Sequence, residues 1–396
     1  MLSAEHRAIV KATAPLLETG GEALTTHFYE SLLREHPEVQ PFFNQANQRS
    51  GTQQRALADG VLMYARHIDE LEQLGDLVSV IVNKHVSLQI QPGHYPLVGG
   101  CLLRSIRAVL GAEVATDAVI DAWAAAYGQL AQILIGAEAS VYVHTAAQPG
   151  GWRGGRAFKV ARKVAESDEI ASFHLLPVDG GAVVAHQPGQ YVGLRLDIDG
   201  QDVRRNYSLS AASDGVGYRI SVKREPGGLV STFLHDRVQA GDVLELFPPA
   251  GHFTLAESAR PLVLISGGVG ITPTLAMLQS ALASGRPIRF IHAARDAGVH
   301  AFRDWIDDLA ARHPQLQRFY CYERHAGARD DAPAPDAVGQ IGLQHLADWL
   351  PQGRDVDVYF LGPTGFMRAM KKHLAALGVP QAQVRYEFFG PATALE

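Results

Sequence analysis

The stretch Leu262-Val-Leu-Ile-Ser-Gly-Gly-Val-Gly-Ile-Thr-Pro273 decides the fold of the C-terminal part of this chain. Its first half, Leu262–Ser266, is a short apolar run typical of a buried strand, and its second half passes through glycines into a predicted helix over Thr274–Ala283. Glycine lets backbone approach a phosphate closely, and the first N–H groups of a helix can donate to it. The stretch therefore predicts a strand, a phosphate loop and a helix.

This unit is followed by a regular alternation of predicted strands and helices. Helices are expected around Phe302–Ala311 and over Gly365–Ala376. The predicted strands are Ile288–Ala293, Gln317–Tyr322 and Val356–Leu361. Such alternation is typical of a parallel sheet with helices on both faces, so we expect an α/β domain over residues 257–396. Residues 325–339, rich in Ala, Asp and Pro, are expected to form a surface loop.

The region before this domain has short strand patterns separated by turn signals. It begins at the Pro/Gly-rich segment Gln148–Gly155, and Asp179-Gly180-Gly181 and Asp199-Gly200 are hairpin-type turns. The predicted strands are Ile170–Leu176, Gln190–Asp197, Tyr207–Ser210, Tyr218–Lys223 and Val243–Phe247. This spacing predicts a small antiparallel β-barrel over residues 155–256.

The first 138 residues form a succession of predicted helices, followed by a linker at 139–154. The first helix begins after Gly20-Gly21 and ends at His36-Pro37, and Thr116 caps the last. Four runs at helical spacing support this prediction. In order, they carry Leu24, Phe28 and Leu32, then Gln53, Leu57 and Val61, then Ile81, His85 and Leu88, and finally Ile120, Trp123, Tyr127, Leu130 and Leu134. An all-α domain is therefore expected here.

The composition excludes several classes of protein. A chain of 396 residues is too long for one core, and 47% hydrophobic residues is a globular composition. A net charge of −6 argues against nucleic-acid binding, and the two cysteines cannot form a disulfide framework, which fits a reducing cytoplasm. Pro261–Gly285 is interrupted by glycines and Pro273, and Ala122–Ala137 is too short to cross a bilayer, so no membrane span is expected.

Among 17 histidines, His85 differs from the others by its surroundings. It lies in the middle of a predicted helix with Ile81 and Leu88 on the same side, so its imidazole projects from an apolar face. An iron porphyrin needs apolar walls and one neutral nitrogen for the metal. His36 at a helix end and His67 beside an arginine are poorer candidates. His85 is therefore the candidate haem ligand.

Around these residues the chain resembles the flavohaemoglobin family. Asn83-Lys84-His85 followed by Tyr95-Pro96 is similar to the proximal side of its globin, where the lysine neighbours the haem–flavin interface. Phe28-Tyr29 resembles the distal tyrosine pair. The other matches are Phe43 in Phe42-Phe43, which wedges the haem, and Gln53 and Leu57, the distal polar and apolar positions.

The resemblance implies a role for each of these residues. His85 binds the haem iron, while Tyr29, assisted by Gln53, donates a hydrogen bond to bound oxygen. Tyr95 and Glu138 lie beside the proximal histidine. A carboxylate that accepts the outer N–H of His85 gives it imidazolate character and favours oxygen activation over storage. Without the resemblance, the sequence is equally consistent with Tyr95 as a plain turn tyrosine and Glu138 as a solvated residue at a helix end.

The motif Arg205-Asn206-Tyr207-Ser208 extends the resemblance to the barrel. With Pro188–Tyr191 before it and Gly227–Ser231 after it, the motif is similar to the ferredoxin-reductase-like flavin domain. The family implies that Arg205 holds the FAD diphosphate, Tyr207 packs on the isoalloxazine and Ser208 reaches its polar edge. Tyr191 is expected on the adenine or ribityl side. Gly228 to Thr232, including Ser231, should start a helix that faces the pyrophosphate.

The α/β domain resembles the nucleotide domain of the same family. The residues of its glycine-rich loop are Gly267, Gly268, Val269, Gly270, Ile271 and Thr272. Leu361-Gly362-Pro363 matches the second nucleotide segment, but Leu361 replaces the family's usual cysteine near the nicotinamide, which bears on hydride-transfer efficiency. The segment that covers the flavin corresponds to Glu387, Phe388, Phe389, Gly390 and Pro391. Arg295 fits a ribose phosphate or a plain surface position, which leaves NADH versus NADPH open.

The resemblance spans nearly the whole chain and implies a multidomain fold. An all-α globin at 1–138 is followed by an antiparallel β-barrel FAD domain and a parallel-sheet NAD(P)-binding domain. The implied cofactors are haem b, FAD and NADH or NADPH. The implied function is a monomeric cytoplasmic nitric oxide dioxygenase that converts oxygen and nitric oxide to nitrate. An oxygen or NO sensor, and a ferric or flavin reductase with a regulatory globin, are alternatives.

Overall fold

The computed structural model describes residues 2–43, 60–324 and 334–390. The helices are α1 (Ala4–Glu35), α2 (Gly75–Leu88), α3 (His94–Leu110), α4 (Asp117–Ala147), α5 (Leu229–Asp236), α6 (Ile271–Ala281), α7 (Arg303–Arg312), α8 (Leu343–Trp349) and α9 (Thr364–Ala376). The strands are β1 (Arg156–Ala165), β2 (Ile170–Pro177), β3 (Tyr191–Ile198), β4 (Gln201–Ser208), β5 (Tyr218–Lys223), β6 (Val243–Leu246), β7 (Leu262–Gly267), β8 (Ile288–Ala294), β9 (Leu316–Tyr322), β10 (Ala337–Val338), β11 (Asp357–Leu361) and β12 (Val384–Tyr386).

The chain divides into two compact units. The first comprises Met1–Gln148 together with the short segments Arg195–Arg205 and Gly390–Thr393. The second comprises the rest of the chain, chiefly Pro149–Leu194 and Asn206–Phe389. The first unit is mainly helical, and the second holds most of the barrel and the whole parallel sheet.

Helix α1 is the main element of the first unit. It begins after Ser3, whose Oγ accepts the His6 N–H at 3.0 Å. The prediction of a start after Gly20-Gly21 is wrong, because the helix runs through both glycines to its predicted end at His36-Pro37. A glycine inside a helix costs about 1 kcal/mol relative to alanine, and packing against α3 and α4 offsets this cost.

Helix α4 completes this core. Thr116 caps it as predicted by accepting the Val119 N–H, and the Trp123 indole donates to Thr13 Oγ1 at 2.9 Å. The helix continues to Ala147, so it occupies the first part of the predicted linker and ends just before the Pro149-Gly150 break. The predicted apolar faces pack together, since Leu24, Phe28, Leu32 and Trp123 belong to one buried cluster.

Helix α4 is also the one helix among the described residues whose length and composition would allow a membrane span. In its most apolar window, 28% of the residues are buried by other parts of the chain. Length and composition are weak evidence by themselves, and the packing of α4 on α1 and α2 fits a core helix of the globin type.

The antiparallel barrel has six strands in the order β4-β3-β6-β1-β2-β5. A bridge between Leu209 and Ile220 joins the end of β4 to β5 and brings the two outer strands together. Strand β1 is absent from the sequence prediction, because lysines and arginines interrupt its pattern, although Phe158 and Val160 are fully buried. Strand β4 lies earlier than the predicted Tyr207–Ser210, because it pairs across the Asp199-Gly200 turn.

The predicted hairpin at Asp179-Gly180-Gly181 is also wrong. These residues do turn after β2, but an irregular segment follows up to β3. The hairpin that contains β2 lies on its other side, at the turn between β1 and β2. Arg156 explains the local structure, since its guanidinium forms an ion pair with Asp179 at 2.6 Å and donates to the Ala182 carbonyl at 2.9 Å.

The parallel sheet has the order β10-β9-β8-β7-β11-β12, which confirms the predicted α/β domain. Alternate residues of β7 face opposite layers: Leu264 packs in a cluster with α6 and α7, and Val263 in a cluster with α8 and α9. From β7 the chain first winds towards β8 and β9, and later returns to β11 on the other side of β7. The boundary between β7 and β11 is thus the topological switch point, where such sheets bind ligands.

Candidate functional site

Three side chains from three helices of the first unit meet in a proximal cluster, defined as His85, Tyr95 and Glu138. His85 Nδ1 lies 2.7 Å from Glu138 Oε1 and 3.1 Å from the Tyr95 hydroxyl. The Tyr95 hydroxyl also donates to Glu138 Oε1 at 2.6 Å. The sequence predicted these residues through a family resemblance, and the structure brings all three into hydrogen-bond contact.

The chemistry of the cluster follows from its burial. Glu138 is 2% exposed, and a carboxylate can only accept, so the proton on the imidazole lies at Nδ1 and is donated to Glu138. Burial and the hydrogen bond to Glu138 raise the pKa of Tyr95 above its usual range, so it stays a donor. Because both contacts use Nδ1, Nε2 is the nitrogen that can bind a metal.

Tyr127 holds Tyr95 in position, although the sequence predicted it only as a core residue. The Tyr127 hydroxyl donates to the Tyr95 carbonyl at 2.7 Å. Gly99 lies against the Tyr127 ring, and a Cβ at this position would overlap it. The predicted buried stripe on α4 signalled that Tyr127 faces inward, but not which backbone group it would hold.

The distal residues that the structure describes also lie together. Tyr29 on α1 is 6% exposed and packs edge-to-face on Phe28 at 4.9 Å and on Phe43 at 5.6 Å between ring centroids. Burial raises the pKa of Tyr29 above its usual range, so its hydroxyl remains protonated. Gln53 and Leu57 lie outside the described residues.

These contacts fit a haem group. His85 lies between the buried residues Val82 and Val86 on α2, within a cluster that includes Tyr95 and Leu134. An apolar wall and one imidazole nitrogen, oriented by a hydrogen-bonded carboxylate, form the donor set that haem iron requires.

Two basic residues lie near this cluster in the first unit. Lys84 Nζ donates to the Gly390 carbonyl at 2.8 Å, so Lys84 is not simply a solvated side chain. The Arg204 guanidinium donates to the Leu88 carbonyl at 2.6 Å and lies 4.6 Å above the Phe42 ring. Arg204 was not predicted, because it lies between the predicted strands Gln190–Asp197 and Tyr207–Ser210, where no local pattern indicates such a contact.

The predicted flavin residues lie on or near β4 and at the start of α5. Arg205, Asn206, Tyr207 and Ser208 are the last residues of β4, and all are at least partly exposed. Tyr191 is buried against Gly251, where a Cβ would contact its ring. Helix α5 begins at Leu229 as expected, and Ser231 Oγ accepts the Glu225 N–H at 3.1 Å.

The glycine loop, defined as Gly267–Gly270, lies at the switch point of the parallel sheet. Gly268 has a φ of +53°, and Thr272 is buried in the first turn of α6. A Cβ on Gly270 would lie 2.5 Å from the Leu361 carbonyl oxygen and 2.9 Å from the Gly362 nitrogen. The two predicted nucleotide segments therefore touch through backbone, which fits a dinucleotide whose phosphates need close backbone approach.

The remaining predicted positions lie near the end of the described chain. Phe388 packs perpendicular to Tyr386 at 5.9 Å, and Phe389 is 51% exposed. Glu387 and Gly390 are half-buried, and Pro391 lies outside the described residues. An exposed aromatic side chain beside a packed one is compatible with the flavin contact that the sequence predicted.

Three protein families match successive parts of the chain. Residues 26–134 match the globin family, residues 157–255 the oxidoreductase FAD-binding domain and residues 264–372 the oxidoreductase NAD-binding domain. These matches confirm the predicted order of folds and the predicted cofactor classes, which are haem, FAD and a nicotinamide nucleotide.

Relatives match the whole chain. Flavohemoproteins from Pseudomonas putida and Pseudomonas aeruginosa are 67% and 66% identical to it, and each alignment covers 100% of both chains. A flavohemoglobin from Malassezia yamatoensis, crystallised with bound FAD and heme, has a TM-score of 0.84 at 28% identity and covers 98% of this chain and 100% of its own. The FAD/NAD-binding domain of a nitric oxide dioxygenase from Vibrio cholerae has a TM-score of 0.55 at 43% identity and covers 60% of this chain and 100% of its own.

Proposed function

This chain belongs to the flavohemoprotein family, and we propose that it is an NAD(P)H-dependent nitric oxide dioxygenase. Its family shows the general activity, that of an oxidoreductase with globin, FAD-binding and NAD-binding domains. The proposed reaction joins nitric oxide to dioxygen with one electron to give nitrate. One hydride from NAD(P)H carries two electrons, so it supports two nitrate ions and releases one proton.

The observation that carries the proposal is the hydrogen bond from His85 Nδ1 to the buried carboxylate of Glu138. A neutral carbonyl acceptor would suffice to hold an imidazole that serves oxygen storage. A carboxylate draws the proton away from the ring and makes the other nitrogen a stronger electron donor to iron. Such a donor favours oxygen chemistry over reversible storage.

Each part of the first unit has a role in this proposal. When bound, haem supplies the redox-active iron at which the gases react, and FAD turns the hydride of NAD(P)H into single electrons. His85 would hold the iron through Nε2, while Glu138 and Tyr95 fix the ring and its proton at Nδ1. Tyr29, kept protonated by burial, supplies a distal hydrogen-bond donor. The family resemblance proposes Gln53 and Leu57, which lie outside the described residues, as the distal polar and apolar positions.

The reductase residues bind and orient nucleotides. Backbone N–H groups of the glycine loop and the start of α6 would receive the dinucleotide phosphates, and the start of α5 would receive the FAD pyrophosphate. On β4, Arg205 would pair with the FAD diphosphate, and Asn206, Tyr207 and Ser208 would line the flavin. Glu387 to Gly390 would cover it, with Phe389 as the aromatic contact, and Lys84 and Tyr191 would add further contacts to the two prosthetic groups. The family resemblance adds Pro391, which lies outside the described residues, to the covering segment.

The proposal includes an organisation and a cellular setting. We assign the globin to residues 1–138, the flavin barrel to 155–256 and the nucleotide domain to 257–396, with a linker at 139–154 that is partly helical. The protein acts as a monomer in the cytoplasm, where NAD(P)H is available.

The test measures electrons and product together. Purified holoenzyme with NADH and oxygen should consume NADH faster when nitric oxide is added. Nitrate should form in a ratio of two to each NADH consumed above the background rate. The proximal substitution Glu138→Gln should lower the NO-dependent rate and leave FAD content unchanged.

The same assay distinguishes the alternatives. A sensor would bind nitric oxide, with a spectral change in the haem, but would not turn over NADH. A ferric or flavin reductase would consume NADH at a rate that follows added ferric iron or free flavin and is indifferent to nitric oxide. Either result, with intact haem and FAD spectra, would refute the proposed dioxygenase activity.

A further inference from the structure

The carboxyl end of β8 carries two residues of opposite charge, Arg295 and Asp296. Strand β8 is the parallel neighbour of β7, and Ala293 is in register with Gly267 of the glycine loop. Arg295 and Asp296 therefore lie at the sheet edge where the nucleotide binds. In such sheets a carboxylate near the adenosine accepts the free ribose hydroxyls of NADH, and an arginine accommodates the 2′-phosphate of NADPH. The sequence alone leaves the choice between NADH and NADPH open.

A contact from the barrel determines whether Arg295 is available to the nucleotide. Arg295 Nη2 forms an ion pair with Glu169 Oε2, in the turn between β1 and β2. The Glu169 side chain is only 16% exposed, whereas Arg295 is 53% exposed. The Glu169 carbonyl accepts the Arg224 N–H at 2.7 Å, which fixes the turn from which the carboxylate projects.

The same turn is attached to the segment after β8. The Asp168 N–H donates to the Gly298 carbonyl at 2.9 Å, so the turn contacts the nucleotide domain close to Arg295. Asp296 is 15% exposed and accepts from Arg324 at 2.9 and 3.2 Å. Glu169 and Asp296 therefore engage the guanidinium groups of Arg295 and Arg324, and Asp168 adds a third carboxylate beside Gly298.

We propose that Glu169 is a specificity-determining residue: by pairing with Arg295 it makes the nucleotide site select NADH over NADPH. This inference rests on the proposed use of a nicotinamide nucleotide as hydride donor. A 2′-phosphate is a dianion, so its binding at Arg295 has to break the pair and leaves the Glu169 carboxylate half-enclosed beside a like charge. The free ribose hydroxyls of NADH need only an acceptor, and Asp296 provides it through Oδ1, because both contacts from Arg324 end at Oδ2.

The test compares two adenosine probes on the holoenzyme by isothermal titration calorimetry. Adenosine 5′-monophosphate reports the common part of the site, and adenosine 2′,5′-bisphosphate adds the 2′-phosphate. We expect the wild type to prefer the monophosphate. In Glu169→Gln the ratio of the two dissociation constants should shift about tenfold towards the bisphosphate, because a released arginine gains a charge-assisted bond to phosphate. Glu166→Gln, in the same turn, is the matched control and should leave the ratio unchanged.

A double variant identifies the released group. The shift should disappear in Glu169→Gln combined with Arg295→Gln. A shift that persists there would show that the removed negative charge acts without Arg295, and it would overturn the proposal. An unchanged ratio in Glu169→Gln alone would overturn it as well.

The rate of flavin reduction distinguishes a failure of this inference from a failure of the proposed function. The ratio of the stopped-flow rates of FAD reduction by NADPH and by NADH should rise about tenfold in Glu169→Gln relative to wild type. A wild type that neither nucleotide reduces would contradict the proposed function, whereas the calorimetric ratio would still test Glu169.

Discussion

The proximal cluster and the glycine loop are built by opposite means. The proximal cluster consists of three side chains from three helices, joined by hydrogen bonds of 2.6 to 3.1 Å. The glycine loop is a backbone surface, in which the missing side chain of Gly270 lets the chain touch Leu361 and Gly362. The contrast teaches that the first site should fail when the chemistry of a side chain changes, and the second when volume is added.

The largest effect is expected for His85→Ala. Loss of the imidazole removes the nitrogen that holds iron, so haem content should fall to near zero while FAD stays bound. Absorption spectra of the purified variant measure both cofactors. His144→Ala, at an exposed position on α4, is the control and should retain haem. Normal haem and iron content in His85→Ala would disprove the ligand assignment.

The next effect is expected for Gly270→Ala. The added Cβ would lie 2.5 Å from the Leu361 oxygen and force the two nucleotide segments apart. A displacement of about 1 Å costs about a hundredfold in rate, so reduction of FAD by NADH should slow by this factor while haem and FAD content stay normal. Stopped-flow absorbance measures the rate. Gly353→Ala, where a Cβ meets open space, should have no effect, and equal rates for both variants would reject a backbone-built site.

The two sites also differ in how far the sequence could predict them. The strand, glycine loop and helix are contiguous, so local patterns predicted them with nearly the observed bounds. The proximal cluster joins residues that are 10, 43 and 53 positions apart. Helical periodicity predicted the face of His85, but only a family resemblance connected it with Glu138, and nothing local indicated that Tyr127 would hold Tyr95.

A smaller effect is expected from a side chain close to the glycine loop. His292 on β8 is fully enclosed and bonded to Ser266 Oγ at 2.8 Å, and burial lowers its pKa to about 3. Below pH 6.5 the unfolded chain binds a proton that the folded chain does not, so stability falls as the pH falls from 6.5 towards 3. By pH 5 this amounts to about 2 kcal/mol.

The substitution His292→Asn should remove this pH dependence. The midpoint temperature of FAD release should fall from pH 7 to pH 5 in both proteins. The fall should be about 4–8 °C smaller in the variant than in wild type. The partly exposed His373→Asn is the control and should behave as wild type. Nucleotide affinity at pH 7 should not change, because the loop uses backbone. A variant with the wild-type pH dependence would show that His292 is not buried as a neutral group.

The elements that the sequence did not predict depend on contacts between distant parts of the chain. Helix α1 continues through Gly20-Gly21 because α3 and α4 pack on it, which overrides the local signal to stop. Strand β1 carries exposed basic residues that obscure its alternation, yet its buried positions lie in the barrel core. The ion pair of Arg295 with Glu169 spans 126 positions, so no local pattern could show that the arginine is engaged.

The central claim is that the Glu138 carboxylate increases electron donation from His85 to iron. Resonance Raman spectroscopy of the ferrous, ligand-free protein measures the iron–histidine stretching frequency directly. Glu138→Gln keeps the size of the side chain and removes its charge, so we predict a clearly lower frequency than in wild type. Tyr95→Phe, which keeps the carboxylate, should lie between the two. The same frequency in wild type and Glu138→Gln would contradict the account.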